Sequence, residues 1–572
     1  MIALVLAFGA LALRHRSTEP GTDPERRAAP PEPPDSETLL LPGYDPSPAG
    51  FEMTDPADAT AETITAHLVL EEGAVRTGGN VGLSFDAREL ASPLWNSESS
   101  NLSLTLSELD RPVLRFGGNG VDRKMWWTSS NEPAPDWAEV TVRPEDLERV
   151  AAVADKVDAQ VTIALDLGHD DPYRAADMAA HAQEAFSERL VAVAIGNEPN
   201  GFFHANQPQL AVRDTNWGPE AYQASLTEYS AAIEETAPGL PVAGPGAYDA
   251  PWWRAFAESG IPNQRALSLH WYPLWDCEGP ASSIANPTVE DLTSPAIRER
   301  ARHVIGMGAD IADQHDLPLW LEETGPTSCP GTNDTSRTHA QALWTVDYVM
   351  TATELGVERT AFHSTLQACQ GGAPMSPICA RGPHEDAGPI VAGRTSYLAL
   401  MMLGNLPDGQ VLTPSVSGDG TVMVHGVVAD DGSLALVIVD MRDPADVGTA
   451  VAVQVSAPSG LGGVVPTMWQ LSEGSRLTGE ALASTESRLA APADVTDESA
   501  GERLAPAEPL TLTSEPGSVT VLRLEVTDTS SAGPSDGGER RPDAAPEDRP
   551  VATVPSGQRN IVRVRCTMDR YL

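Results

Sequence analysis

Eight short apolar runs, separated by helical stretches and loops, constrain this chain more than anything else in it. They are residues 81–85, 113–118, 161–168, 190–197, 240–246, 266–273, 318–325 and 359–365. Unbroken runs, rather than alternating ones, are what parallel strands covered on both faces require. Stretches such as "PEDLERVAAVADKV" (144–157) and "RAADMAAHAQEAF" (174–186) carry the helical period between them. A strand–helix alternation of this length predicts a (β/α)8 TIM barrel over 78–400, an α/β fold. A doubly wound open sheet is the alternative. "GGNG" at 117–120 lacks the spacing and the acidic partner of a dinucleotide fingerprint.

After about Met401 the helical pattern stops. "VMVHGVVA", "SLALVIVDM", "TAVAVQVSA", "GVVPTMWQL" and "SVTVLRLEV" are short strands broken by turns, which predicts a C-terminal β-sandwich over 401–526. "TITAHLVLEEG" (63–73) alternates like a half-buried strand ahead of the barrel, and the segment 61–77 is expected to join that sandwich. Segments 14–60 and 527–572 are rich in Pro, Ser and acidic residues without periodicity, and read as a disordered linker and a mostly disordered tail.

Residues 1–13, "MIALVLAFGALAL", would form about 20 Å of helix, short of the roughly 30 Å of a bilayer core. They read as a signal-peptide-like or anchor segment, so the expected location is extracellular, secreted or anchored facing outside. Lys and Arg number 37 against 81 acids, a net charge of −44, which argues against nucleic acid and anionic lipid as partners. Any membrane contact is expected only through the N-terminal segment. Cys277, Cys329, Cys369 and Cys379 fall in one central region, none as CxxC, and fit two loop disulfides, the nearest pairing being Cys369 with Cys379. Cys566 is left over.

The ends of barrel strands face the active-site mouth. Glu198 ends the fourth run, preceded by Asn197, and Glu322 and Glu323 end the seventh. Two carboxylates flanking one bond are what glycoside hydrolysis requires. Strand alternation is expected to send Glu322 and Glu323 to opposite faces. Other strand ends bring Arg115, Asn119, Asp166, His169, His270, Tyr272 and His363; a lone histidine such as His363 is expected to be a core residue. Trp126, Trp127, Trp252, Trp253, Trp271 and Trp275 are candidates for sugar stacking or for packing.

"VAIGNEPNGF" (193–202) and "WLEET" (320–324), with "LRFGGNGVD", "GPGAY", "LHWYP" and "GVERTAFHS", resemble glycoside hydrolase family 79, which holds heparanase and β-glucuronidases, within a clan of retaining (β/α)8 glycosidases. The resemblance covers roughly residues 63 to 525. It implies Glu198 as acid/base and Glu323 as nucleophile. Substrate contacts would come from Asn197, Arg115, Asn119, Asp166, His270, Tyr272 and the amides of Gly371 and Gly372. It implies a glycan or glycoconjugate substrate and no metal or other cofactor. The loop "CQGGAPMSPICARG" lacks the tyrosine with which the family helps hold a substrate carboxylate. The expected activity is therefore β-glucuronidase- or heparanase-like, with a neutral-sugar β-glycosidase or a non-catalytic glycan-binding protein as alternatives.

Overall fold

The computed structural model describes residues 44–48, 59, 62–206, 208–275, 288–328, 333–336, 338–369, 372–381, 388–456, 466–473, 487–494 and 510–524. The apolar segment 1–13, Cys277, Cys329, Gly371, Cys566 and the tail lie outside the described residues.

Eight parallel strands close a barrel: β1 Val81–Asp86, β2 Val113–Gly117, β3 Gln160–Leu165, β4 Leu190–Ile195, β5 Val242–Ala247, β6 Gln264–Trp271, β7 Leu319–Thr324 and β8 Val357–Ser364. Each overlaps one of the expected runs, with ends shifted by up to three residues. Helices follow them in turn: α1 Leu102–Ser107, α2 Pro144–Lys156, α3 Pro172–Phe186, α4 Pro219–Thr236, α5 Ala250–Ala257, α6 Pro295–Gln314, α7 His339–Glu354 and α8 Thr395–Gly404. Their starts are written locally. Pro172 opens α3, and the Asp171 side chain accepts the Arg174 N–H at 3.0 Å, satisfying a donor the helix leaves free. Inside the barrel the Trp320 indole packs with Ala192, Ala243 and Ala266, three small residues on β4, β5 and β6 that leave it room.

β7 is irregular. Leu269 and His270 on β6 pair with Leu321 and Glu323, so Glu322 is an extra residue, and the register slips against β8 over the same stretch. This is a bulge, and it overturns the expected alternation. Glu322 Oε1 lies 3.4 Å from Thr162 Oγ1 on β3, four strands away, a contact that only the barrel interior permits. Glu323 reaches Arg115 on β2. Both neighbours therefore face inward, at different depths.

The second sheet runs Tyr44–Pro48, Ser487–Asp494, Pro466–Glu473, Ser518–Leu524, Leu434–Asp440, Val422–Ala429, Gly409–Val416, Thr63–Val69, Val451–Ser456 and Leu510–Ser514. Gly409–Val416 turns the corner. Its first half pairs with Val422–Ala429 and its second with Thr63–Val69, and the two layers enclose Ile64, Leu68, Leu412, Val424, Leu436 and Val453. The N-terminal strand thus joins the sandwich as expected, parallel to Val451–Ser456. Tyr44–Pro48, within the stretch read as linker, pairs parallel with Ser487–Asp494. α7 is buried from His339 to Thr353 because it lies between barrel and sandwich, which is why its sequence shows no polar face.

Candidate active site

The chain kinks sharply where β4 ends. Gly196 takes a φ of +82° and Glu198 itself is left-handed at +48°. A Cβ at Gly196 would press on Leu167 at 2.9 Å, so the turn needs glycine for space as well as for φ. A glutamate in this region is strained by about 1 kcal/mol or more, and such strain gathers at functional sites. The kink is held from outside. Glu198 N–H donates to Gly246 O at 2.9 Å and Asn197 N–H to Asp122 Oδ2 at 2.8 Å. Asp122 Oδ1 also accepts the Leu167 and Gly168 amides, at 2.8 and 3.0 Å. Asp122 is fully buried; burial first, then the Asp166 charge, push it up to about 7 against those amides.

Glu323 sits across the mouth, beyond the bulge. Arg115 Nη1 donates to its Oε2 at 2.5 Å and to Ser84 Oγ at 3.0 Å. Arg115 Nη2 donates to Asn197 Oδ1 at 2.6 Å, which also accepts the Gly118 amide at 2.9 Å. One buried guanidinium therefore fixes the carboxylate on β7 and the amide beside the carboxylate on β4. The Tyr272 hydroxyl donates to Glu323 Oε1 at 2.8 Å. His270 Nδ1 lies 3.2 Å from Glu198 Oε1 and 3.9 Å from Glu323 Oε2. Burial alone would raise the Glu323 carboxyl; His270, Arg115, His363 and the tyrosine hydroxyl reverse this and hold it well below the ordinary carboxylate range.

Oxygens of Glu198 and Glu323 and a His270 nitrogen all lie within 4.8 Å of one another. This trio has the chemistry of a metal site, but the Arg115 guanidinium beside Glu323 already supplies the positive charge and would repel a cation. Among the described residues, Asn197 Nδ2 and His270 Nε2 are buried without a hydrogen-bond partner. An unpaired amide donor next to two carboxylates is a place for a ligand hydroxyl.

Other expected residues stand further out. Asp166 binds the His169 ring at 2.8 Å, and that ring lies flat on Trp137 with centroids 3.8 Å apart, forming a wall on the β2–β3 side. Asn119 is exposed on the loop after β2, without a bond to either glutamate. Gly372 lines a pocket of about 840 Å³ between the loops after β1 and β8, together with Asp86, Arg88, Glu89, His363 and Thr365. Trp127, Trp252, Trp253 and Trp271 are buried packing residues; Trp275 is 45% exposed. His363 is not a satisfied core residue: its Nδ1 has no hydrogen-bond partner among the described residues, and the imidazole is one of the groups that lower the Glu323 carboxyl. Cys369 and Cys379 are bridged as expected. Tyr248, after β5, was missed in the sequence; burial first and then the Glu198 charge push its hydroxyl up to about 12. Asp122 and Glu89 were missed as well, although each closely follows a strand end, the one position signal that was available.

Neither protein-family models nor curated proteins match the sequence. Solved structures do match the fold. A 4-O-α-L-rhamnosyl-β-D-glucuronidase from Fusarium oxysporum aligns at TM-score 0.61 and 17% identity, over 80% of this chain and 100% of that one. A family 51 arabinofuranosidase from Xanthomonas axonopodis aligns at 0.58 and 14%, over 81% and 100%. CelM2, a bifunctional glucanase-xylanase from a metagenome library, aligns at 0.53 and 13%, over 81% and 99%. What the chain shares with these glycoside hydrolases is the fold, a (β/α)8 barrel joined to a β-sandwich.

Proposed function

We propose that this chain is a retaining glycoside hydrolase that cleaves β-glycosidic bonds by double displacement. One observation carries the reading: carboxylate oxygens of Glu198 and Glu323 within 4.8 Å. Retaining enzymes hold their carboxyl groups about 5–5.5 Å apart, inverting ones about 6.5–9.5 Å to admit a water. Glu323, held ionised by its cationic surroundings, attacks the anomeric carbon. Glu198 gives its proton to the departing oxygen, then takes one from the water that releases the glycosyl group. Arg115 and Tyr272 orient Glu323 through separate oxygens, and Asn197 Nδ2 offers a donor to a sugar hydroxyl. The chemistry needs no cofactor.

A β-glucuronide is the first substrate to test, on the strength of the family-79-like motifs. A neutral β-glycoside is the second, because the pocket beside the nucleophile has no unpaired Arg or Lys among its described lining residues. The oxidised Cys369–Cys379 pair supports an extracellular location, the one we propose. The test is hydrolysis of aryl β-glycosides, glucuronide included, by the wild type, Glu323→Gln and Glu198→Gln. Glu323→Gln is expected to abolish aryl alcohol release. Glu198→Gln should spare activated leaving groups more than poor ones. Product with inverted anomeric configuration, or undiminished rates in both variants, would sink the reading.

A further inference from the structure

The mechanism leaves the pocket between the β1 and β8 loops without a role. Its volume of about 840 Å³ suits a sugar ring with its substituents. Neither catalytic glutamate lines it. His363 does, and Met375 on its wall meets Tyr272 around Gly325, beside the hydroxyl that donates to Glu323, so the pocket opens next to the nucleophile. Its charges are unevenly paired. Arg88 is closed into ion pairs with Asp86 at 2.9 Å and Glu139 at 2.8 Å. Glu89 has no such partner among the described residues. Its Oε1 accepts the Leu366 amide at 3.1 Å, while Oε2 accepts no hydrogen bond from the described residues.

We propose that this pocket receives the glycone and that Glu89 reads it, donating its carboxyl proton to a sugar oxygen and, once ionised, rejecting a glycone carboxylate. The inference rests on the glycosidase reading and adds the determinant of its substrate class. Burial first, opposed by the Leu366 amide, and then the Asp86 charge push Glu89 up to about 7, with Arg88 pulling the other way. Below that pH the neutral carboxyl can donate to a hydroxymethyl oxygen or to a carboxylate. Above it, Glu89 and Asp86 face a uronate with like charge, while a neutral glycone still donates its hydroxyl to Glu89. Glu139 reaches the cluster only through Arg88, and the His363 imidazole faces the same pocket.

The test is calorimetric binding of hydrolysis-resistant methyl β-thioglycosides, in matched neutral and uronic pairs of gluco and galacto configuration, at pH 5.5 and 8.5. In the wild type the uronic-to-neutral affinity ratio is expected to fall about tenfold from the lower to the higher pH. In Glu89→Gln, whose amide oxygen still accepts the Leu366 N–H, the ratio should stay nearly constant. A constant ratio in the wild type, or binding of no pair at either pH, overturns the proposal. So does a fall that persists in Glu89→Gln and vanishes in His363→Asn, which assigns the effect to the imidazole. Hydrolysis of the matching aryl glycosides is scored separately. The expected ratio without hydrolysis keeps a glycan pocket and removes the glycosidase; hydrolysis without the ratio does the reverse.

Discussion

Arg115 ties the two halves of the site together. It is 1% exposed on β2, and one fork of its guanidinium holds Glu323 while the other holds Asn197. A lysine has no fork, so even this charge-conserving change must release one of the two partners. Arg115→Gln removes the charge too. It is expected to lower kcat/KM by about 100-fold or more and to shift the acid limb of the pH–rate profile. The sign follows from Glu323. Its carboxyl is depressed by His270 first and Arg115 next, and in the proposed mechanism Glu323 attacks as the anion, so rate is lost as pH falls through its pKa. With one cation gone that pKa rises, and the limb moves to higher pH. An acid limb that stays in place in Arg115→Gln would show that Arg115 does not set the charge on Glu323. The paired glutamates were legible in the sequence because each follows an apolar run, and a run fixes where its strand ends. Asp122 was not, since the amides it holds lie 45, 46 and 75 residues away and no local pattern records them.

The β7 bulge sets two adjacent carboxylates at different depths. Glu323 faces the mouth, and Glu322 lies deeper, 3.0 Å from Arg359 Nε in an ion pair that lacks hydrogen-bond alignment. Arg359 is buried, donates to Thr162 Oγ1 at 3.1 Å, and sits over the Trp320 ring. Removing the anion would leave a buried cation unbalanced, at a cost on the order of 3 kcal/mol. Glu322→Gln is therefore expected to lower the thermal midpoint while folded enzyme keeps its pH–rate profile. Glu323→Gln should do the opposite, sparing the fold and ending turnover. Equal loss of activity from both would mean the two depths are not independent. Bulges are hard to read from sequence, since a one-residue slip leaves the apolar run unchanged. The sandwich was legible where strands are long and apolar, as in Leu434–Asp440. It was not legible in Gly409–Val416, where Pro414 and alternating exposure reflect a strand shared between two layers.

At the scale of the molecule, one buried polar cluster fastens the sandwich to the barrel helices. His425, on Val422–Ala429, lies 2.6 Å from Glu354 and 3.2 Å from Asp347, both on α7, and Arg298 of α6 pairs with Asp347 at 2.8 Å. Burial would lower His425, but Glu354 and Asp347 outweigh it and lift the imidazole to about 9; Arg298 and His425 likewise overcome burial to hold Asp347 at about 2. A raised histidine gives stability that is complete below its unfolded pKa of about 6.5 and is lost as pH climbs to about 9, up to roughly 3 kcal/mol. The depressed aspartate gives stability present above about 4 and lost toward 2. Scanning calorimetry should find a thermal midpoint that declines from about pH 4 to 7 as the raised Asp122 and Glu89 carboxyls ionise, and that goes on falling to 9 as His425 loses its proton. In His425→Gln the alkaline fall should disappear; a fall of the same size would put the linkage elsewhere.

The N-terminal strand has a further consequence, one of time. Thr65 donates its amide to Ser417, 352 residues later in the chain, and its strand lies between Gly409–Val416 and Val451–Ser456. At roughly 5–20 residues per second, a ribosome takes about 20 to 70 s to deliver those partners. Throughout that interval Thr63–Val69 waits with unpaired edges, and the β-sandwich can close only after the barrel-forming sequence has been synthesised.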